Sequence, residues 1–79
     1  MKIKFESKSA LKFIAKQPPK QRQRIMEAID RIPAGDIKPL RGDDPFHRLR
    51  IGDYRIVFVI EEDTAIICNA GNRGDVYKG

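Results

Sequence analysis

Cysteine and histidine are almost missing from this sequence: one of each, Cys68 and His47, occurs in 79 residues. A single thiol excludes an internal disulfide framework, and without a Cys/His cluster the chain lacks the ligand spacing of a metal site, so neither a metal nor a cofactor is expected. Long apolar runs are missing too. No stretch approaches the ~20 residues that a membrane-spanning helix requires, and no apolar core of a secretory signal is present, which points to a cytoplasmic protein with no membrane partner. Nor is there a repeat, a low-complexity tract or a linker to divide the chain, and residues 1–79 read as one domain. A domain this short buries only about 60% of the surface its unfolded chain exposes, so its own stability is expected to be modest and open to support from a partner.

What is plentiful is positive charge. Lysine and arginine total 16 against 11 acidic residues, for a net charge of +5 and a pI near 9.7. That balance favours a polyanionic partner, either nucleic acid or an acidic protein.

Residues 2–5, KIKF, alternate Lys2 and Lys4 with Ile3 and Phe5, as a short strand with one buried face would. Ser7 or Ser9 can cap the helix that follows, in which Leu11, Ile14 and Ala15 recur at helical spacing until Pro18 and Pro19 stop it. Pro19 suits the first turn of a second helix whose Ile25, Met26, Ile29 and Ile32 form an apolar stripe, with Lys20, Arg22, Arg24 and Arg31 decorating the remainder. From Pro33 to Pro45 the density of Pro, Gly and Asp predicts a loop, anchored by Ile37 and Leu40. Two apolar-alternating runs then flank Gly52 and Asp53, and the acidic turn Glu61, Glu62, Asp63 separates VFVI from TAIICNA, which gives three consecutive antiparallel strands. The expected fold is α+β in the order β-α-α-β-β-β, a mostly antiparallel sheet with a helical hairpin packed on its apolar face.

The run RLRIGDYRIVF, residues 48–58, carries the strongest local signal. A two-residue hairpin loop at Gly52 and Asp53 sets the register: Ile51 faces Tyr54, Arg50 faces Arg55, Leu49 faces Ile56 and Arg48 faces Val57. Period two then puts Leu49, Ile51, Tyr54, Ile56 and Phe58 on one face and Arg48, Arg50 and Arg55 on the other. Directly opposed like charges destabilise an antiparallel pair unless something anionic sits between them, so the arrangement reads as an anion site. The plainer alternative is a solvated face whose arginines are neutralised by carboxylates from elsewhere in the chain.

Together, KPLRG before the sheet, FHRLRIGDYRIVFVI across the hairpin and GNRGDVY near the end resemble the RelE/ParE superfamily of type II toxin-antitoxin toxins, over nearly the whole chain. The combination of LRxGDYR with a late GxRxxVY is the specific part of the likeness. The resemblance implies a toxin held inactive by a cognate antitoxin that wraps it, with operator DNA bound only by the toxin–antitoxin complex. RelE-like members are RNases that cut mRNA in the ribosomal A site, whereas ParE-like members inhibit DNA gyrase and have no nuclease activity. Carried over position by position, the RNase branch's functional residues correspond to Arg48, Arg55, Arg73 and Tyr77, with Arg50 on the same face. Asn72 stands where many relatives have histidine, and Phe46 where many have lysine.

The chemistry required is compatible with those residue types. RNA carries its own nucleophile, the 2′-hydroxyl, so an RNase working without a metal must align it with the adjacent phosphate, remove its proton and stabilise charge on the phosphoryl group. Arginines suit phosphate oxygens, and Arg48 and Arg50 read as RNA-binding, Arg55 and Arg73 as charge-stabilising groups in catalysis. A phenolate beside Arg55 and Arg73 would titrate below the usual tyrosine range, which makes Tyr77 the candidate general base; stacking on an RNA base and packing on the sheet edge are its alternatives. His47 is a base by residue type, but register directs it to the apolar side or the sheet edge, as a structural histidine. The reading is therefore an mRNA endoribonuclease, in which Arg55→Ala and Tyr77→Phe retain the fold. The alternatives are a ParE-like gyrase inhibitor and an inactive, antitoxin-binding member.

Overall fold

A computed structural model describes residues 1–40 and 45–72. The chain starts with strand β1 (Lys2–Phe5), and helices α1 (Lys8–Ala15) and α2 (Pro19–Asp30) follow. Ser7, in extended conformation, caps α1 by accepting the Ala10 N–H at 3.2 Å, and thereby satisfies one of the amides that a helix start leaves without a partner. Pro19 occupies the first turn of α2, where its missing N–H costs nothing. The α2 stripe is buried as its spacing predicts, with Ile25 and Ile29 fully enclosed and Ile32 just beyond the helix nearly so. In α1 the buried face is centred on Ala10 and Ile14, and Leu11 is about half exposed. Leu11 lies about 100° around the helix from Ala10, and in two turns of helix the apolar spacing fits either face; contact with the sheet decides between them.

The remaining strands are β2 (Ile37–Pro39), β3 (His47–Ile51), β4 (Tyr54–Glu61) and β5 (Thr64–Asn72). They form one five-stranded sheet in the order β1-β5-β4-β3-β2. β2 to β5 are a continuous antiparallel meander, and β1 pairs in parallel with β5 through Lys2↔Thr64 to Phe5↔Ile67. The sheet thus has one strand more than the sequence predicts. Within the stretch expected to be a loop, Ile37, Lys38 and Pro39 pair with Leu49, Arg48 and His47. Three residues are too few to show period two, and a proline at the end of a strand is tolerated because β2 lies at the sheet's edge.

The helical hairpin covers one face only, α1 over β5 and α2 over β3. Leu49, Ile51, Ile56 and Phe58 from the β3–β4 hairpin and Ala65 and Ile67 from β5 meet Ala10, Ile14, Ile25, Ile29 and Ile32 in a single core. Tyr54 joins the rim of this core, with its ring edge-on to Phe13 at 6.0 Å and its hydroxyl donating to Gln17 Oε1 at 2.9 Å. Among the described residues no helix is long and apolar enough to cross a membrane.

Two turns shape the meander. At the β3–β4 turn Gly52 takes φ +56° while Asp53 does not turn positive, the sign pattern of a type II′ hairpin. In β5 the pairing shifts by one residue between Val57↔Asn69 and Phe58↔Ile67, so that Cys68 is the extra residue of a bulge. Its Sγ lies 3.7 Å from Glu6 Oε2, and burial, followed by the nearby Glu6 carboxylate, pushes the thiol pKa up.

These features yield two expected outcomes. A Cβ at Gly52 would have room, its nearest neighbour being Arg24 Nη2 at 4.0 Å, so Gly52→Ala is penalised by backbone conformation alone. It should lower unfolding free energy by about 1–2 kcal/mol in urea titration, with an unchanged m-value. Cys68, with its raised pKa, should be alkylated by iodoacetamide at pH 8 more slowly than a model thiol, and Glu6→Gln should speed the reaction by favouring the thiolate.

Candidate nucleic-acid interface

The Gly52 turn fixes which side chains share the sheet's second face. The observed register is Ile51↔Tyr54, Arg50↔Arg55, Leu49↔Ile56 and Arg48↔Val57, as the two-residue loop requires. With the core residues directed toward the helices, Arg48, Arg50 and Arg55 lie on the face away from them, and Arg50 stands directly across from Arg55. On its other side Arg55 faces Gly71 of β5, which offers no side chain to separate the guanidinium from its surroundings.

The three arginines are not equivalent, although their spacing suggests a uniform floor. Arg50 is exposed; Arg48 is half-buried and already engaged by a partner. Arg55 is only 3% exposed. Its Nη1 donates to Gly52 O at 3.1 Å and to Tyr54 O at 2.9 Å, so the guanidinium clasps the backbone of its own hairpin turn. Its Nε is buried and finds no acceptor. Among the described residues no carboxylate pairs with Arg50 or Arg55. A buried cation held by carbonyl dipoles keeps a strong outward field, because little solvent screens it. The arrangement therefore has two parts: Arg50, an accessible cation, and Arg55, a buried charge that also braces the turn.

Arg73 and Tyr77, the other two expected catalytic residues, lie outside the described residues, as do Arg41 and Gly42 of the KPLRG stretch. His47 lies where register directs it. Its ring stacks on Phe58 at 5.6 Å and 24°, on the core side of the sheet, and its Nδ1 is buried without a partner. That position keeps the imidazole on the opposite side of the sheet from the arginines.

A second group of polar residues, of which the sequence pattern marks Arg24 only as decoration of a helix surface, gathers at the same end of the molecule. Between α2 and the hairpin turn lies a cleft of about 250 Å³ lined by Gln21 and Arg24 from the helix, Gly52, Asp53 and Tyr54 from the hairpin, and Asn72 from the end of β5. Gln21 and Arg24 sit one turn and one residue before Ile25, on the border of the buried stripe, and that bordering position is the only sequence signal for their role.

The family model described as ParE toxin of type II toxin-antitoxin system, parDE, matches residues 5–77. A Methanocaldococcus jannaschii protein that carries the name RelE1 is 33% identical over 88 residues, covering 99% of this chain and 98% of that protein. The toxin in the crystal structure of the RelB-RelE antitoxin-toxin complex from Methanococcus jannaschii has a TM-score of 0.74 at 27% identity, covering 95% of each chain. The archaeal RelE-RelB complex from Pyrococcus horikoshii shares the fold, with a TM-score of 0.76 at 24% identity over 94% of this chain and 96% of the other. With a family model spanning nearly its whole length and a relative matched end to end, this chain belongs to the RelE/ParE family of type II toxin–antitoxin toxins.

Proposed function

We propose that this toxin is an endoribonuclease of the RelE kind, which cuts mRNA in the ribosomal A site through attack of a 2′-hydroxyl on the adjacent phosphate. The observation that carries the reading is the opposition of Arg50 and Arg55, one pair in from the hairpin turn, with no carboxylate of the described residues between them. Like charges in that position are costly in the isolated protein and favourable once a phosphate is seated against them. Arg50 supplies direct contact with the strand. Arg55 supplies field from beneath and keeps the turn in shape. In this reading Arg73 completes the charge around the phosphoryl group, Arg48 supports the strand, and Tyr77 accepts the 2′-hydroxyl proton; cleavage leaves a 2′,3′-cyclic phosphate and a 5′-hydroxyl.

A cognate antitoxin is the second partner. Structural relatives are antitoxin–toxin complexes with RelB. By analogy an extended acidic segment would cover the Arg50 face and block RNA, and operator DNA would be bound by the complex. The ParE description of the matching family model keeps gyrase inhibition as the competing activity.

The test is incubation of wild-type and Tyr77→Phe proteins with a translated mRNA in a purified translation system, with fragment ends mapped. Ribosome-dependent cuts by the wild type that fall at least a hundredfold in Tyr77→Phe are expected, in line with loss of a general base. Intact mRNA together with inhibited DNA supercoiling would favour the gyrase reading. Arg50→Ala should cut mRNA more slowly with an unchanged melting temperature or a slightly higher one. Arg55→Ala should lose both activity and about 1–3 kcal/mol of stability, since two turn carbonyls lose their donor. This departs from the expectation that Arg55→Ala leaves the fold intact, and thermal melting of the two variants side by side checks it.

A further inference from the structure

The cleft between α2 and the hairpin turn has the makings of a second RNA contact. Arg24 is exposed and enters no hydrogen bond or ion pair among the described residues, yet its Nη2 lies 4.0 Å from the position of a Cβ on Gly52. Arg55 Nη1 holds the carbonyl of the same residue at 3.1 Å. Two guanidinium groups thus flank one peptide unit, Arg24 from the helix side and Arg55 from the other. Asn72, which lines the cleft, immediately precedes Arg73 in the sequence. Asp53 is the one acidic residue of the cleft's lining, and the stretch that supplies Gln21 and Arg24 is basic: from Ser7 to Met26 the chain has Lys8, Lys12, Lys16, Lys20, Arg22 and Arg24 and no Asp or Glu.

We propose that this cleft is a nucleotide subsite, which receives the unpaired nucleotide next to the scissile one as the strand passes around the hairpin tip. Arg24 binds its phosphate, and the amides of Gln21 and Asn72 meet the edge of its base. The proposal rests on the RNase reading and extends it to specificity. The lining favours a nucleotide over an acidic peptide. Two amides and the Asp53 carboxylate can exchange hydrogen bonds with the mixed donors and acceptors of a base edge, whereas the carboxylates of an acidic peptide offer acceptors alone and would leave Asp53 without a donor.

The experiment uses full-length protein and ribosomes programmed with an mRNA whose A-site codon is 2′-O-methylated, so that binding is read without cleavage. Arg24→Ala is expected to raise the dissociation constant about tenfold, as for one charge-assisted hydrogen bond, with Arg24→Lys recovering most of it. Gln21→Ala should flatten the preference among the four bases at one flanking position while leaving overall affinity within about threefold. On unmodified mRNA, Arg24→Ala should raise the half-saturating ribosome concentration more than it lowers the maximal rate. If the wild type cleaves but Arg24→Ala binds programmed ribosomes as the wild type does, the subsite is wrong and the RNase reading stands. If Arg24→Ala weakens only antitoxin binding, the cleft belongs to the antitoxin and the proposal is overturned. If wild-type protein neither binds nor cuts, the RNase reading fails and the subsite falls with it.

Discussion

The functional end of this molecule depends on the hydrogen bonds that Arg55 gives to its own hairpin turn. By holding the carbonyls of Gly52 and Tyr54, a buried guanidinium fixes the loop that sets the register of β3 against β4. That register sends one set of side chains to the core and the arginines to the opposite face. It also brings Gly52 against α2, where Arg24 approaches, and places Asn72 beside Tyr54 at the end of β5. Core packing and the charged face are therefore two consequences of one turn, and a slip of one residue would exchange them.

The same constraint sets stability against function. A chain of 79 residues has little core to spare, yet it keeps a nearly buried cation with an orphaned Nε and a second cation directly opposite. The core itself is conventional, with branched aliphatic residues, Phe58 and a half-buried tyrosine whose hydroxyl is satisfied by Gln17. Of the two buried polar atoms without a partner among the described residues, Arg55 Nε belongs to the hairpin's arginine face and His47 Nδ1 to the core side, while the opposed cations belong to the arginine face alone. That opposition is what a site built for an anion, and incomplete without one, would have.

Much of the fold was legible because its signals are local. The Gly-Asp turn and the alternation around it specified the β3–β4 register residue by residue, and Pro18 and Pro19 marked where one helix ends and the next begins. β2 was not legible, since three residues ending in proline resemble loop and only pairing with β3 makes them a strand. Leu11 was assigned to the wrong face because α1 is too short for periodicity to choose. In the candidate site, spacing showed which arginines share a face but not that Arg55 would be buried or Arg48 already engaged, as both depend on tertiary neighbours. Arg24 was invisible as a site residue for the same reason: its partners in the cleft come from β3, β4 and β5. Arg73 and Tyr77 enter through resemblance alone.

The central claim is that Arg50 is placed opposite Arg55 for an anion and not for the fold. The most direct test is the unfolding free energy of wild-type protein and Arg50→Ala in low salt, each measured alone and with a short 2′-O-methylated RNA. The account predicts that Arg50→Ala is more stable than wild type on its own, by up to about 1 kcal/mol, and gains less from the RNA. An Arg50→Ala protein that is less stable alone and is stabilised by RNA as much as the wild type would contradict it.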